Sequence, residues 1–396
     1  MRFSGFTSAS VRLNWLRMVV SAAYLCGMLM SQGLWFGMTR TFPRAPIVAG
    51  LPSSISAYDL VISIVLVGSL ILSAIMRRPV SYLLAGALLT LLLILLDQMR
   101  LQPWVFQYGI MLVLLTPALG GAANQRLVEA ALAANQIVIA TLYFWSGLQK
   151  LNWSFAHEVV PGLFESTGLQ LSQFYLSRIA VAIAICETLI GIGLLIRKTR
   201  QAAVIFACIM HLIVLGTLVF SGRNTVVWPW NVAMIVVTAI LFWRNEAAPM
   251  GYLIRGWSNV RMRDHLPKLA MLICGLLPAL SFIGWWDLYL SAALYSGNAP
   301  IAVMRISESL RDHLPTHVKQ HVFKTSRGDL MLPFHEWSLA ELNVPPYPET
   351  RVYRQVARQL CLLDSNQQVN GLIVKERPAL SDGSSKVTLT TCSHLL

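Results

Sequence analysis

Long apolar runs, separated by short loops, fill most of the first 290 residues of the chain. Each run is close to the roughly 20 residues that an α-helix needs to cross about 30 Å of hydrocarbon. The pattern therefore predicts a polytopic bundle of about nine transmembrane helices. Their predicted bounds are 15–36, 57–76, 79–96, 104–120, 127–148, 172–196, 201–220, 225–244 and 268–290. The fourth segment is short, and if it were re-entrant, every later segment would be inverted.

The last hundred residues have the mixed pattern of a soluble domain. Apolar residues recur at helical spacing from Thr350 to Leu362, and they alternate with polar ones over 369–374 and from Lys386 onward, which is typical of strands. The predicted fold is thus an all-α membrane helix bundle over residues 1–290, followed by a small α+β domain over residues 291–396.

Positive charge is unevenly shared between the two sets of loops. With nine spans and a cytoplasmic N-terminus, fourteen Lys and Arg residues lie on the inner side and six on the outer side before the tail. This asymmetry follows the positive-inside rule. It predicts an extracytoplasmic tail, which lies in the periplasm if the cell is bacterial and on the lumenal or extracellular side if the membrane belongs to the secretory pathway. The formal net charge of +13 does not indicate a nucleic-acid partner, because the basic residues lie in short loops between apolar runs.

Composition supports a membrane protein and narrows its chemistry. Hydrophobic residues make up 56% of the chain and charged residues 12%, about half the charged fraction of soluble domains. No CxxC motif occurs, which argues against a dithiol redox site. Cys361 and Cys392 lie in the tail, where an oxidising compartment predicts a disulfide between them. His313, His317 and His321 recur every four residues, but Pro315 interrupts them, and no metal site is predicted.

Polar residues inside a bilayer are costly, so each group of them is a candidate site. The first group joins spans three and four, and we expect Asp97 and Arg100 to form a local ion pair there. Its other members are Gln102, Trp104 and Gln107. Two interpretations stay open: a polar turn with Trp104 in the interfacial aromatic belt, or a set of side chains that orients the polar head of a ligand.

The second group closes span five and contains Trp145, Gly147 and Lys150. Lys150 is either a lysine that extends to the membrane surface, or a desolvated lysine beside a close helix contact at Gly147. Burial lowers the pKa of a lysine and makes it usable as a base.

Two further groups lie in spans six to eight. Glu187 and His211 are expected at similar depth on consecutive helices, so they are candidates for a pair with a catalytic role or for a purely structural hydrogen bond. Arg223 and Asn224 occupy an outer loop that leads into Trp228-Pro-Trp230, which is either an interfacial anchor or part of a substrate-binding surface.

Two of these segments resemble a known group of membrane proteins. Tyr143 to Leu151 (YFWSGLQKL) and Glu187 to Leu195 (ETLIGIGLL), with Arg200 after them, resemble the DoxX-like/MauE four-helix unit, here residues 127–244. The lysine segment also resembles the HTTM domain, whose best-known member is the vitamin K-dependent γ-glutamyl carboxylase. The resemblance implies that Lys150 is the counterpart of the base that deprotonates a quinol, and that His211 lies in the histidine span.

Two functions of different classes follow as expectations. In the first, the bundle holds a lipid-soluble, quinone-like molecule in an outward-facing cavity, with Lys150 as base or hydrogen-bond donor and with Glu187 and His211 as a second polar layer. In the second, the chain is a non-enzymatic scaffold whose outer domain binds a partner, with the segment Pro345 to Pro348 on its working surface.

Overall fold

The computed structural model describes residues 8–48, 56–120, 124–165, 171–222, 224–254, 262–364 and 369–396. Nine longer apolar helices form the bundle in this part of the chain. They are α1 Ala9–Met30, α2 Ser56–Ile75, α3 Val80–Leu96, α4 Pro103–Leu115, α5 Gln125–Leu148, α6 Gln173–Leu195, α7 Arg200–Ser221, α8 Trp228–Phe242 and α9, whose apolar part is His265–Ile283. Shorter helices lie at Gln32–Trp35, Phe155–Val159, Val160–Glu165 and Met250–Ile254.

Seven of the described helices are long and apolar enough to cross a membrane. They are α1, α2 and α5 to α9, so the predicted membrane bundle agrees with the structure at this level. The apolar segments Val80–Leu96 and Pro103–Leu119 are shorter, and their crossing stays a prediction.

The ends of two helices differ from the predicted bounds. Helix α1 begins earlier than residue 15, because the Ser8 side chain accepts a hydrogen bond from the Val11 N–H and caps it. Helix α9 ends at Ile283 rather than 290. It passes from α-helix into a π-helical turn at Met271–Leu276 and a 3-10 segment at Leu277–Ile283. Pro278 contributes no N–H at the start of the 3-10 segment, which favours this change of hydrogen bonding.

The tail has the predicted α+β secondary structure. Its antiparallel sheet has the order β2-β3-β1-β4-β5. The strands are β1 Ile301–Ile306, β2 Phe323–Lys324, β3 Leu330–Pro333, β4 Gly371–Lys375 and β5 Val387–Thr391; the helices are α10 Glu308–His313, α11 Phe334–Leu342 and α12 Thr350–Cys361. Short turns of helix lie at Thr316–Lys319 and Cys392–Leu395. A disulfide joins Cys361 to Cys392, with Cα atoms 5.4 Å apart, and so ties the end of α12 to the end of β5.

The tail is docked onto the bundle through α11 and α12. The Glu341 carboxylate accepts hydrogen bonds from the N–H groups of Thr41 and Phe42 and from the Thr41 hydroxyl. Burial alone would raise the pKa of Glu341, but these hydrogen bonds hold it below its usual value. Arg351 forms an ion pair with Asp287 at the end of the bundle.

This docking buries the segment Pro345 to Pro348. Tyr347 is fully buried, its hydroxyl donates to Asp287 at 2.7 Å, and the Pro345 carbonyl accepts a hydrogen bond from Gln102. The expectation that this segment is an exposed partner surface is therefore wrong, because it forms the joint between tail and bundle.

Candidate functional site

A close contact between α5 and α6 builds the candidate site. A Cβ atom on Gly147 would lie 2.4 Å from the Thr188 nitrogen and 2.6 Å from the Ala184 carbonyl oxygen. A Cβ atom on Gly191 would lie 2.5 Å from the Ala140 carbonyl oxygen. Both glycines are therefore required for the helix separation, as small residues are at membrane helix interfaces.

This contact brings Lys150 against Glu187. The Lys150 ammonium donates to the Glu187 carboxylate at 2.7 Å and to the hydroxyl and carbonyl of Ser146 at 2.8 and 3.1 Å. Their side chains are 10% and 9% exposed. A contact at this distance between an ammonium and a carboxylate is a charge-assisted hydrogen bond.

The depth of this pair favours the second interpretation of Lys150, a buried lysine beside the close helix contact at Gly147. Glu187 lies fourteen residues after Gln173 and eight before Leu195, which at 1.5 Å per residue is about 21 Å and 12 Å from the two ends of α6. Lys150 turns back along α5 toward this level instead of extending to the outer surface. The short helices at 155–165 follow Lys150 in the chain. The contact with Glu187 places the lysine beside the middle part of α6.

His211 does not pair with Glu187, and this expectation is corrected. Its Nε2 lies 2.8 Å from the Tyr143 hydroxyl and its Nδ1 lies 2.9 Å from the Asn231 side-chain oxygen. The Tyr143 hydroxyl also lies 3.2 Å from the Thr238 hydroxyl. The Glu187 carboxylate pairs with Lys150 instead. Tyr143 and Asn231 hydrogen-bond the two nitrogens of the His211 imidazole.

These two polar groups are adjacent inside the bundle. Tyr143 and Ser146 lie on one face of α5, and Lys150, in the turn that follows the helix, directs its side chain back to Ser146. No described hydrogen bond joins Lys150 or Glu187 to His211 or Tyr143, so passage of a proton between the two groups would need a bridging molecule.

A small cavity of about 30 Å³ lies between α4, α5 and α9, against a different face of α5 that carries Thr141 and Trp145. Gln107 and Trp145 line it, as does Cys274 of the π-helical turn. The Trp145 indole N–H donates to the Gly275 carbonyl at 3.1 Å, and Gln107 accepts from the Trp230 N–H at 2.7 Å. The segment Tyr289 to Leu294, which leads into the tail, completes the cavity wall. Lys150, Glu187 and His211 are not among its lining residues.

The first predicted group is divided between two other ion pairs. Asp97 pairs with Arg40 at 2.5 Å, and Arg100 pairs with Asp59 at 2.9 Å, with Arg44 3.2 Å from Asp59. The expected Asp97–Arg100 pair is therefore wrong. Burial alone would raise the pKa of Asp97, but the guanidinium groups of Arg40 and Arg100 hold it below its usual value. The network is buried and holds the chain before α2 against the turn after α3.

Gln102 and Trp104 also have structural partners. Gln102 donates to the Met99 and Pro345 carbonyls. Trp104 is 3% exposed and packs on Gly27 and edge-to-face on Tyr24. The expectation of an interfacial tryptophan is wrong, because its ring fills the space that Gly27 leaves open. Of this predicted group, Gln107 alone lines the described cavity.

The outer-loop group contacts the region that leads into the tail. The Asn224 amide hydrogen-bonds the Tyr295 hydroxyl, and no described contact joins Asn224 to Lys150. Arg223 lies outside the described residues. Among the residues described, no three His, Cys, Asp or Glu side chains are grouped to hold a metal ion.

Tyr143, Ser146, Asn231 and Thr238 also belong to the site. Tyr143, Ser146 and Asn231 lie in the predicted polar segments but were given no role of their own, and Thr238 was not predicted. Asn231 and Thr238 are seven residues apart on α8, a spacing that puts both on one face of the helix.

Comparison with known proteins adds no relative. The chain matches no protein-family model, no curated protein and no solved structure.

Proposed function

We propose that the chain is an integral membrane protein of the HTTM/DoxX-like type that binds a lipid-soluble, quinone-like molecule beside Lys150 and Glu187. In this proposal α3 and α4 also cross, giving nine spans with a cytoplasmic N-terminus and a periplasmic tail. The observation that carries the proposal is the ion pair of Lys150 and Glu187, buried beside the middle of α6 and next to the hydrogen-bonded pair of His211 and Tyr143. Ionisable groups inside a membrane bundle are costly and usually functional.

The ion pair favours one role for each partner. Because the Lys150 amine group donates to Glu187 and to Ser146, the lysine is suited to donate a hydrogen bond to a carbonyl or phenolate oxygen rather than to act as a base. When a quinol hydroxyl binds between the two side chains, Glu187 is the group that accepts the hydroxyl proton, and the Lys150 ammonium donates a hydrogen bond to the phenolate oxygen that remains. His211 and Tyr143 then form the next polar layer, which can pass that proton on through a bridging molecule.

The cavity near Gln107 and Trp145 is the entry that we propose for the ligand. At about 30 Å³ it is far smaller than ligand pockets, which measure about 300–1,000 Å³. Binding therefore requires the wall to open. The π-helical and 3-10 turns of α9 favour this place, because irregular backbone at membrane depth occurs where it is buried in protein or lines a cavity.

Binding of decylubiquinone to the full chain in lipid nanodiscs tests the proposal. We expect Lys150→Met and Glu187→Gln to weaken binding at least tenfold, because each removes the ammonium or its stabilising charge. Lys386→Met, which removes an exposed lysine in the tail, is the matched control and is expected to bind like the native chain. Native affinity in Lys150→Met would rule out the proposed site.

The second candidate function, a scaffold with a partner-binding outer domain, is supported by a different surface from the one expected. The buried segment Pro345 to Pro348 is not available to a partner, but β5 forms one edge of the tail sheet.

A further inference from the structure

One wall of the cavity near Gln107 is the short segment that joins the bundle to the tail. Its other walls belong to α4, α5 and α9, whereas Tyr289 to Leu294 form this one. We call residues 287–294 the strap. The strap contains one 3-10 turn, at Tyr289–Ser291. It is the part of the wall that can move while the hydrogen bonds within the surrounding helices stay in place.

No hydrogen bond fastens the middle of the strap to the bundle. The N–H groups of Ser291 and Ala293 bond the Leu288 carbonyl. The Ser291 hydroxyl donates to the Asp287 carbonyl at 2.9 Å, so these bonds stay within the strap. Among the residues that the structure describes, none of 290–294 is hydrogen-bonded to α4, α5 or α9. Segments held so loosely to their surroundings open locally at a lower free-energy cost than a packed helix.

The backbone at the far end of the strap is in an unfavourable conformation. Ala292 has a φ angle of 53°, and Tyr295, just beyond the strap, has a φ angle of 51°. Left-handed backbone is uncommon for residues other than glycine, and it persists only where the surrounding structure imposes it. Ala292 is itself a lining residue of the cavity. The closed wall therefore depends on contacts that hold the strap in place.

The Asp287 carboxylate, at the start of the strap, provides the strongest of these contacts. The Tyr347 hydroxyl of the tail donates to it at 2.7 Å. Arg351 donates to both of its oxygens, to one of them at 3.0 Å. Paired, charge-assisted hydrogen bonds of this kind are directional and strong. Because the Arg351 side chain is 49% exposed, water can take its place when the contact breaks.

The tail also contacts the next two residues of the strap. The Glu349 carboxylate accepts a hydrogen bond from the Leu288 N–H at 3.2 Å. The ring of Tyr347 packs edge-to-face on the ring of Tyr289, with centroids 5.3 Å apart. Since Tyr289 lines the cavity, a side chain of the tail bears directly on the cavity wall.

The other end of the strap has a separate anchor. Beyond it, the Ser296 carbonyl accepts a hydrogen bond from the Asn152 amide at 2.8 Å, which fixes this end to the turn after α5. With that end fixed, the contacts made by the tail determine whether the strap stays against the bundle.

We propose that Tyr347, Glu349 and Arg351 hold the strap closed over the cavity, and that release of these contacts opens the cavity to the ligand. The tail is then the regulator of access to the bundle. This inference rests on the proposed function only for the chemical class of the molecule that enters, a quinone-like ring.

The thiol of Cys274 provides a probe of opening that requires no ligand. Cys274 lines the cavity and is 7% exposed. The other three free cysteines are replaced by serine, and they are Cys26, Cys186 and Cys208. N-ethylmaleimide, a small reagent that enters membranes, is then added to the full chain in nanodiscs. The rate at which Cys274 is alkylated, measured by mass spectrometry, reports how often the cavity is open.

Two substitutions in the tail loosen the strap to different extents. Arg351→Met removes the paired hydrogen bonds, and Tyr347→Phe removes one hydroxyl but keeps the ring. We expect Arg351→Met to raise the alkylation rate about tenfold or more, because the open form becomes more populated when the closed form loses charge-assisted bonds. Tyr347→Phe should raise it by less. Arg354→Met, at an exposed arginine three residues further along α12, is the matched control and should leave the rate unchanged.

A second reporter separates local opening from unfolding. Ala134 is fully buried on α5 and does not line the cavity. In chains that carry Ala134→Cys and in which Cys274 is also serine, we expect slow alkylation with and without Arg351→Met.

Two results would overturn the proposal. One is an unchanged alkylation rate of Cys274 in both Arg351→Met and Tyr347→Phe. The other is an equal rise at position 134, which would assign the effect to general unfolding. Because no quinone takes part in this assay, either result leaves the binding test at Lys150 intact, and a chain that does not bind decylubiquinone can still show the opening.

Discussion

Substitution of Gly147 by alanine tests how the site is assembled. The added Cβ would lie 2.4 Å from the Thr188 nitrogen, where ordinary contacts begin at 3.4 Å. Two of the three nearest atoms, the Thr188 nitrogen and the Ala184 carbonyl oxygen, belong to the backbone, so rotation of a side chain cannot relieve these contacts. The two helices must therefore separate locally by about 1 Å.

The separation has two measurable consequences. Overpacking of this kind costs about 1–3 kcal/mol. It also lengthens the Lys150–Glu187 contact from 2.7 Å to about 3.7 Å if Lys150 moves with its helix, which is beyond the range of a hydrogen bond. We therefore expect Gly147→Ala to lower the thermal stability of the purified protein and to weaken decylubiquinone binding toward the level of Glu187→Gln.

Size-exclusion chromatography of heated, detergent-solubilised protein measures the first effect, and nanodisc binding measures the second. Gly109→Ala is the matched control, because that glycine is also helical and a Cβ there would meet nothing within 4 Å. It is expected to keep native stability, since alanine is the better helix former. If Gly147→Ala were as stable as Gly109→Ala and bound the ligand equally well, the close contact would not be what positions the lysine.

Three further predictions concern the tail and the outer ion pairs. Replacing both Cys361 and Cys392 by serine opens a loop with a sequence separation of 31 residues and should destabilise the tail by about 3–4 kcal/mol on the chain-entropy estimate, measured by limited proteolysis in urea; an unchanged cleavage midpoint would contradict it. The pKa of Glu341 is lowered in the folded protein, so its carboxylate stabilises docking above the usual pKa of about 4.3 and loses this effect as the pH falls through the lowered value. Protease sensitivity of the tail should therefore rise over that pH interval in the native chain but not in Glu341→Gln. Arg100→Met leaves Asp59 with one fewer guanidinium and should cost about 3–5 kcal/mol, seen as lower thermal stability in the same heating assay, and a native value would show that Arg44 alone satisfies the carboxylate.

The sequence alone predicted the features that depend on short-range patterns. Apolar runs of about twenty residues have no stable alternative in water, so the membrane bundle follows from them directly. The helix at Thr350, the strands near 371 and 387, and the pairing of Cys361 with Cys392 likewise follow from local periodicity and from the placement of the cysteines in the polar tail.

The tertiary structure decided which charged groups meet. From sequence, Asp97 was paired with Arg100 and Glu187 with His211, because neighbours along the chain or at equal depth are the partners that a linear pattern can suggest. The observed partner of Asp97 is Arg40, and that of Glu187 is Lys150. The second pairing depends on how far α6 extends past the end of α5. That offset is set by two glycines that touch backbone on the facing helix, and a helix offset has no signature in the sequence of either helix alone.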